Sequence, residues 1–137
     1  MQNNEVKILV VEDVEIARKM ANLILTRLDC EVHLAETGHQ ALELINNNSY
    51  QLILLDLGLP DMDGITIAEA IRNNQNVKSA TPIVALTAHS DEEIRQQCIN
   101  AGIDDFLIKP LTFESASVLL KKFIADKVVV SKKRQSY

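Results

Sequence analysis

Short apolar runs alternate five times with segments of helical period along this chain of 137 residues. Few folds can accommodate that pattern. Val6–Val11 (VKILVV), Glu31–Ala35 (EVHLA), Gln51–Leu55 (QLILL), Pro82–Leu86 (PIVAL) and Asp105–Ile108 (DFLI) read as strands. Between them, Val14 to about Leu28 places Ala17, Met20, Ala21, Ile24 and Leu28 on one helical face. Thr37–Gln40 fits a capping box before Ala41, Leu42 and Ile45. Ile65 to about Asn73 carries Ile67, Ala68 and Ile71 inward. Ser90–Glu93 is a second capping box, opening a helix that ends near Gly102, and Thr112 caps a last helix bearing Phe113, Ala116, Leu120 and Phe123. Strict alternation of this kind, with strands apolar on both faces, predicts a doubly wound α/β fold: a five-stranded parallel sheet with helices on both sides.

Composition removes several function classes. The chain holds 14 Lys plus Arg against 19 Asp plus Glu, a net charge of −5, which disfavours general nucleic-acid binding. Its four glycines (Gly38, Gly58, Gly64, Gly102) are dispersed, so no phosphate-cradling glycine loop is present. Trp is absent and aromatic residues make up 4% of the chain, too few for a base-stacking platform. Cys30 and Cys98 fit no redox or metal spacing and read as small apolar residues. His33, His39 and His89 show no metal-ligand spacing. Neither a signal pattern nor an apolar run of membrane-spanning length occurs, so the expected location is the cytoplasm, with no membrane contact by the domain itself. Residues 1–126 read as one domain and 127–137 as a C-terminal tail or linker stub, too short for a DNA-binding segment.

In an open parallel sheet, ligands bind beyond the carboxyl ends of the strands. Glu12 and Asp13 follow the first strand, Asp56 the third, Thr87 the fourth and Lys109–Pro110 the fifth. Singly, each has a structural reading. Asp13 could cap a helix, Glu12 be a solvated charge, Asp56 a turn residue, Thr87 a strand end and Lys109 an outward-lying lysine. Together they make a different case. Three carboxylates at one edge repel one another and call for a cation, and an all-oxygen donor set selects Mg²⁺ over zinc. A carboxylate beside Mg²⁺ can attack phosphorus, with Lys109 and the Thr87 hydroxyl receiving phosphoryl oxygens. Asp61-Met-Asp63-Gly64 lacks the spacing of a calcium loop, so Asp63 reads as a helix cap.

At this point the chain resembles the receiver (response-regulator) domains of two-component phosphorelay signalling. The likeness rests on ILVVED at Ile8–Asp13, LILLDLGLPDMDG at Leu52–Gly64, PIVALTA at Pro82–Ala88 and AGIDDFLIKP at Ala101–Pro110. It extends from about Val6 to Asp126. The resemblance implies a flavodoxin-like strand order of 2-1-3-4-5. It implies Asp56 as phosphoacceptor, with Asp13, Asp56, Glu12 (largely through water) and the Gly58 backbone carbonyl as Mg²⁺ ligands. Lys109, Thr87 and the Ala88 backbone N–H would contact the phosphoryl group. The Lys109–Pro110 bond would be cis. Thr87 and Phe106 would form a conformational switch, although Phe106 also reads as plain core. His89, two residues after Thr87, is expected to modulate dephosphorylation.

The expected function is Mg²⁺-dependent transfer from a phosphohistidine onto Asp56, followed by a change of surface conformation. The domain would thus catalyse its own side of the transfer. Expected partners are a histidine kinase core or a histidine phosphotransfer domain, and the motifs lean toward receivers of hybrid sensor histidine kinases. Two alternatives are a stand-alone response regulator and a haloacid-dehalogenase-like phosphohydrolase. The second needs an acid two residues after its nucleophile, where Gly58 stands.

Overall fold

The computed structural model describes residues 6–74, 81–88 and 91–124. In chain order the elements are β1 (Lys7–Val11), α1 (Glu15–Arg27), β2 (Glu31–Ala35), α2 (Gly38–Asn47), β3 (Leu52–Asp56), α3 (Gly64–Arg72), β4 (Ile83–Thr87), α4 (Glu92–Ala101), β5 (Asp105–Ile108) and α5 (Phe113–Phe123). All strand pairs are parallel and the sheet order is 2-1-3-4-5. This is the expected doubly wound arrangement. His89 and Ser90 lie outside the described residues, as do Asp126 and the tail at 127–137.

Successive strand residues point to opposite faces, so each inner strand feeds two cores. Leu9, Val11, Ile53, Leu55, Ile83 and Ala85 pack with residues of α2, α3 and α4. Ile8, Val10, Leu52, Leu54, Val84 and Leu86 pack with residues of α1 and α5. Every residue of β3 and β4 is buried, whereas the edge strands β2 and β5 are partly exposed. Apolarity on both faces therefore belongs to the middle of the sheet.

Local chemistry sets most boundaries. Thr37, Asp63 and Thr112 cap α2, α3 and α5 through their side chains. Among the described residues, a full capping box forms only at Thr112–Ser115. At α2 the Gln40 side chain accepts from Glu36 N–H, one residue before the cap. Asp91 caps α4 by accepting from Ile94 N–H at 2.9 Å. That helix stops at Gly102, whose φ of 95° suits glycine alone, and Ile103 N–H returns to Cys98 O at 3.0 Å. Arg72 then ties three elements together, donating to Gly102 O, Thr81 O and Asp104 Oδ2.

Two helical faces differ from the sequence expectation. In α1, Leu25 is buried and Met20 is 49% exposed. In α5, Leu119 is buried and Phe113 is 51% exposed. A one-residue shift is 100° on a helix, and the wide apolar stripe of α1 and α5 leaves that choice to packing.

Both cysteines are buried and free. Burial pushes the Cys30 thiol from 9.0 up to about 12, with the Asp29 charge adding to the effect. The fold thus favours the neutral thiol. This contribution is complete below pH 9 and is lost as pH rises toward 12. Urea midpoints are expected to fall across that range, and less steeply in Cys30→Ala; identical slopes would contradict the assignment.

Candidate functional site

The order 2-1-3-4-5 puts β1 beside β3 at the point where the chain switches sheet direction, opening a crevice at their carboxyl ends. Val11 pairs with Leu55, so the next residues, Glu12 and Asp56, stand side by side. The sheet ladder continues into the loops. Glu12 N–H donates to Ala35 O (2.9 Å), Leu57 N–H to Leu86 O (3.2 Å) and Lys109 N–H to Thr87 O (2.8 Å). Backbone pairing thus delivers the site residues at fixed heights.

Glu12 and Asp56 are 2% and 4% exposed, which two carboxylates tolerate only with partners. Lys109 supplies one. Its Nζ lies 3.2 Å from Glu12 Oε1 and 3.1 Å from Asp56 Oδ1. Gly58 N–H donates to Asp56 Oδ1 at 3.0 Å, and Val14 N–H to Glu12 Oε2 at 3.1 Å. Asp13, half-buried, completes a cluster in which one carboxylate oxygen from each of Glu12, Asp13 and Asp56 lies within 4.8 Å of the others.

The two buried carboxyls differ in acidity. Burial pushes Glu12 up, as does the neighbouring Asp56, against the Val14 N–H and Lys109. Asp56 also feels burial, but the Gly58 N–H, Glu12 and Lys109 together hold it below the usual carboxylate range. Lys109 is pushed down by burial and further up by its two carboxylates, so it stays an ammonium. Asp56 is therefore the more acidic of the two.

The donor set fits a divalent cation. Three carboxylates face one ammonium, all ligating atoms are oxygen, and among the described residues no nitrogen or sulfur ligand joins them. Glu12, Asp13 and Asp56 are the residues that would hold Mg²⁺, which supplies charge neutralisation for phosphoryl oxygens. A Cβ on Gly58 would come no closer than 3.8 Å to its nearest neighbour, Asp56 Oδ1, so the approach to Asp56 is open there.

The remaining expected residues fall as follows. Thr87 is buried at the end of β4, and Ala88 follows it, exposed. Lys109–Pro110 is cis. Phe106 is half-buried on β5 against the α2–α4 core, with the Arg95 guanidinium 4.6 Å from its ring centre. Asp13 does not cap α1; Val14 holds the N-cap position, without a side-chain bond. Nor is Glu12 a solvated charge, and Lys109 turns inward.

Arg18 went unread in the sequence. From α1 it donates through Nη1 to Glu12 O (3.0 Å) and Asp13 O (3.2 Å), clamping the loop that carries two carboxylates. An arginine one turn into a helix after an acidic pair was the only signal available, and it reads equally as surface charge.

The comparisons with known proteins agree with this geometry. Residues 8–121 match the response regulator receiver domain family. The aerobic respiration control sensor protein ArcB of Escherichia coli K12 is 39% identical over 116 residues, which span 85% of this chain and 15% of that protein. The transcriptional regulatory protein SrrA of Staphylococcus aureus is 39% identical over 115 residues, 84% of this chain and 45% of that one. Among solved structures, the receiver domain of sensor histidine kinase PA1611 from Pseudomonas aeruginosa superposes with a TM-score of 0.80 at 32% identity, covering 88% of this chain and 98% of that one. That structure has magnesium coordinated in its active-site cleft. The chain belongs to the response regulator receiver domain family. It spans less than half the length of either curated relative.

Without Lys109, two buried carboxylates lose their shared counter-ion. Lys109→Met is expected to destabilise the metal-free protein by about 3 kcal/mol or more, the usual cost of stranding a buried charge. Mg²⁺ should recover part of the loss in thermal unfolding; an unchanged Tm without metal would refute the role of the bridge.

Proposed function

We propose that Asp56 is the phosphoacceptor of a phosphorelay and that its donor is a phosphohistidine. The observation that carries this reading is the ionised, buried Asp56 held 3.1 Å from Lys109 Nζ beside a three-carboxylate cluster. An Asp56 carboxylate oxygen bonds to phosphorus while the phosphorus–nitrogen bond breaks, its electron pair returning to the imidazole. Lys109 takes up charge on the phosphoryl oxygens. Thr87 Oγ and the Ala88 N–H are assigned to the same group. Glu12, Asp13 and Asp56, together with the Gly58 carbonyl, would hold the Mg²⁺. Because Gly58 offers no acid group, hydrolysis of the acyl phosphate goes unassisted from that position, which separates this site from a phosphohydrolase. Thr87 and Phe106 carry the resulting change outward, with Arg95 lying over the aromatic ring.

Placement in a hybrid sensor kinase is supported by the likeness to the sensor protein ArcB and to the PA1611 receiver. The equal identity to the regulator SrrA supports the alternative of a response regulator. Either context requires a surface for the donor. Beside the acceptor lies an apolar groove of about 680 Å³, walled inside by Glu12 and Lys109 and outside by Ile16, Met20, Leu23 and Phe113. Those four outer side chains are each about half exposed or more, Ile16 reaching 71%. An apolar patch bordering a reactive carboxylate suits a partner helix that presents a phosphohistidine. No helix of the described residues is long and apolar enough to cross a membrane.

Incubation with acetyl phosphate and Mg²⁺ should yield a base-labile adduct that is absent in Asp56→Asn. No adduct, or the same yield from the variant, would sink the reading. For the groove, Met20→Glu is expected to slow transfer from a phosphorylated histidine phosphotransfer domain roughly tenfold or more, the effect of charging an interface core. Labelling by acetyl phosphate should stay unchanged. Equal slowing with both donors would remove the groove from the docking surface.

A further inference from the structure

The loop between β3 and α3, residues 57–63, carries Gly58 and is itself held from outside. Asp61 reaches across to the start of α2. Its Oδ1 accepts from Gly38 N–H at 2.9 Å, and its Oδ2 from His39 N–H at 3.2 Å. His39 Nδ1 lies 2.6 Å from the same Oδ2. The helix already has its own cap, since Thr37 accepts from Gln40 N–H at 3.1 Å. Asp61 is a second cap, supplied from a different loop, and it engages the two first-turn donors that Thr37 leaves. Its carboxyl is held below the usual range, chiefly by the Gly38 N–H and also by both His39 groups, despite partial burial.

The same two segments touch a second time. A Cβ on Gly38 would meet both Met62 Cβ and Ile67 Cδ1 at 2.9 Å, so the helix start presses directly on the loop and on α3. At the loop's other end, Gly58 N–H grips Asp56 Oδ1 (3.0 Å) and Gly64 N–H meets Leu57 O (3.4 Å). The loop is thus closed on itself and tethered at Asp61. We propose that Asp61 is a positioning residue for the acceptor site. By capping α2 it holds the loop so that Gly58 meets Asp56 and the carboxylate cluster keeps its spacing. This rests on the acceptor reading above and adds a residue that touches neither the metal ligands nor the phosphoryl group. His39 supports the tether from α2 and is secondary to the backbone donors.

The test is Mg²⁺ titration of the full chain by amide NMR shifts, with acetyl phosphate labelling rates, at a temperature well below the Tm of every variant. Asp61→Ala is expected to weaken Mg²⁺ binding about fivefold, the equivalent of one lost helix cap, and to slow labelling. Asp61→Asn keeps an oxygen for Gly38 N–H and should stay within about twofold of the wild type, as should His39→Ala, which leaves both backbone bonds. If Asp61→Ala lowers Tm but leaves Mg²⁺ affinity and labelling unchanged, Asp61 only stabilises the fold and the proposal is overturned. An Asn variant as weak as the Ala variant would overturn it too, since charge rather than capping would then set the affinity. Failure of the wild type to bind Mg²⁺ or to label would instead remove the acceptor reading, and this proposal with it.

Discussion

One ammonium group holds the site together. Lys109 Nζ sits within 3.2 Å of both Glu12 and Asp56, two carboxyls that are almost wholly removed from water. Without a counter-charge, burial would drive both toward the protonated form. Lys109 serves both, but the Gly58 N–H and Glu12 add to its effect on Asp56, whereas burial and Asp56 leave Glu12 raised. An asymmetric pair results, in which the carboxyl at the end of β3 is the more acidic. The same arrangement leaves the cluster short of positive charge once Asp13 is included, and a divalent cation meets that deficit.

That bridge requires three chain segments, separated by more than forty residues in each case, to end at one height. Parallel pairing accomplishes it. β1 and β3 are neighbours, and the residue following β1 extends the ladder to Ala35 before turning. β5 is the far edge strand, yet Lys109 N–H pairs with Thr87 O and its long side chain covers the remaining distance. Packing around the sheet is what makes these heights firm. β3 and β4 are buried along their whole length, so neither can slip without exposing apolar surface. The loops are then fastened individually, the first by Arg18 and the second by Asp61.

Much of the fold was legible because inner strands and helix caps have strong local signals. LILLD and IVALT are apolar on both faces, and Thr37, Asp63 and Thr112 cap where their chemistry says they should. Local signals fail where two neighbours compete for one role. Met20 and Leu25 are both plausible inner residues of α1, and only contact with the sheet and α5 selects Leu25. The sequence pattern offers Ser90 as the cap of α4, and the helix begins after its neighbour Asp91. The contacts of Arg18 and Asp61 are illegible in the sequence for another reason. Each acts on backbone groups, Arg18 on two carbonyls and Asp61 on two N–H donors, and the sequence around a backbone group carries no mark of being bound.

The sequence by itself determined the class of fold and the inventory of the site. Periodicity and strand ends are local properties, and four ordered motifs name the acidic residues, the hydroxyl and the lysine. Tertiary structure decided what those groups are to one another. Which carboxyl is the more acidic depends on burial and on the direction in which Lys109 points, and neither is encoded in spacing. Lys109 reads from sequence as readily solvent-directed as inward. The sheet order turns it toward Asp56, where its charge cannot be replaced by water.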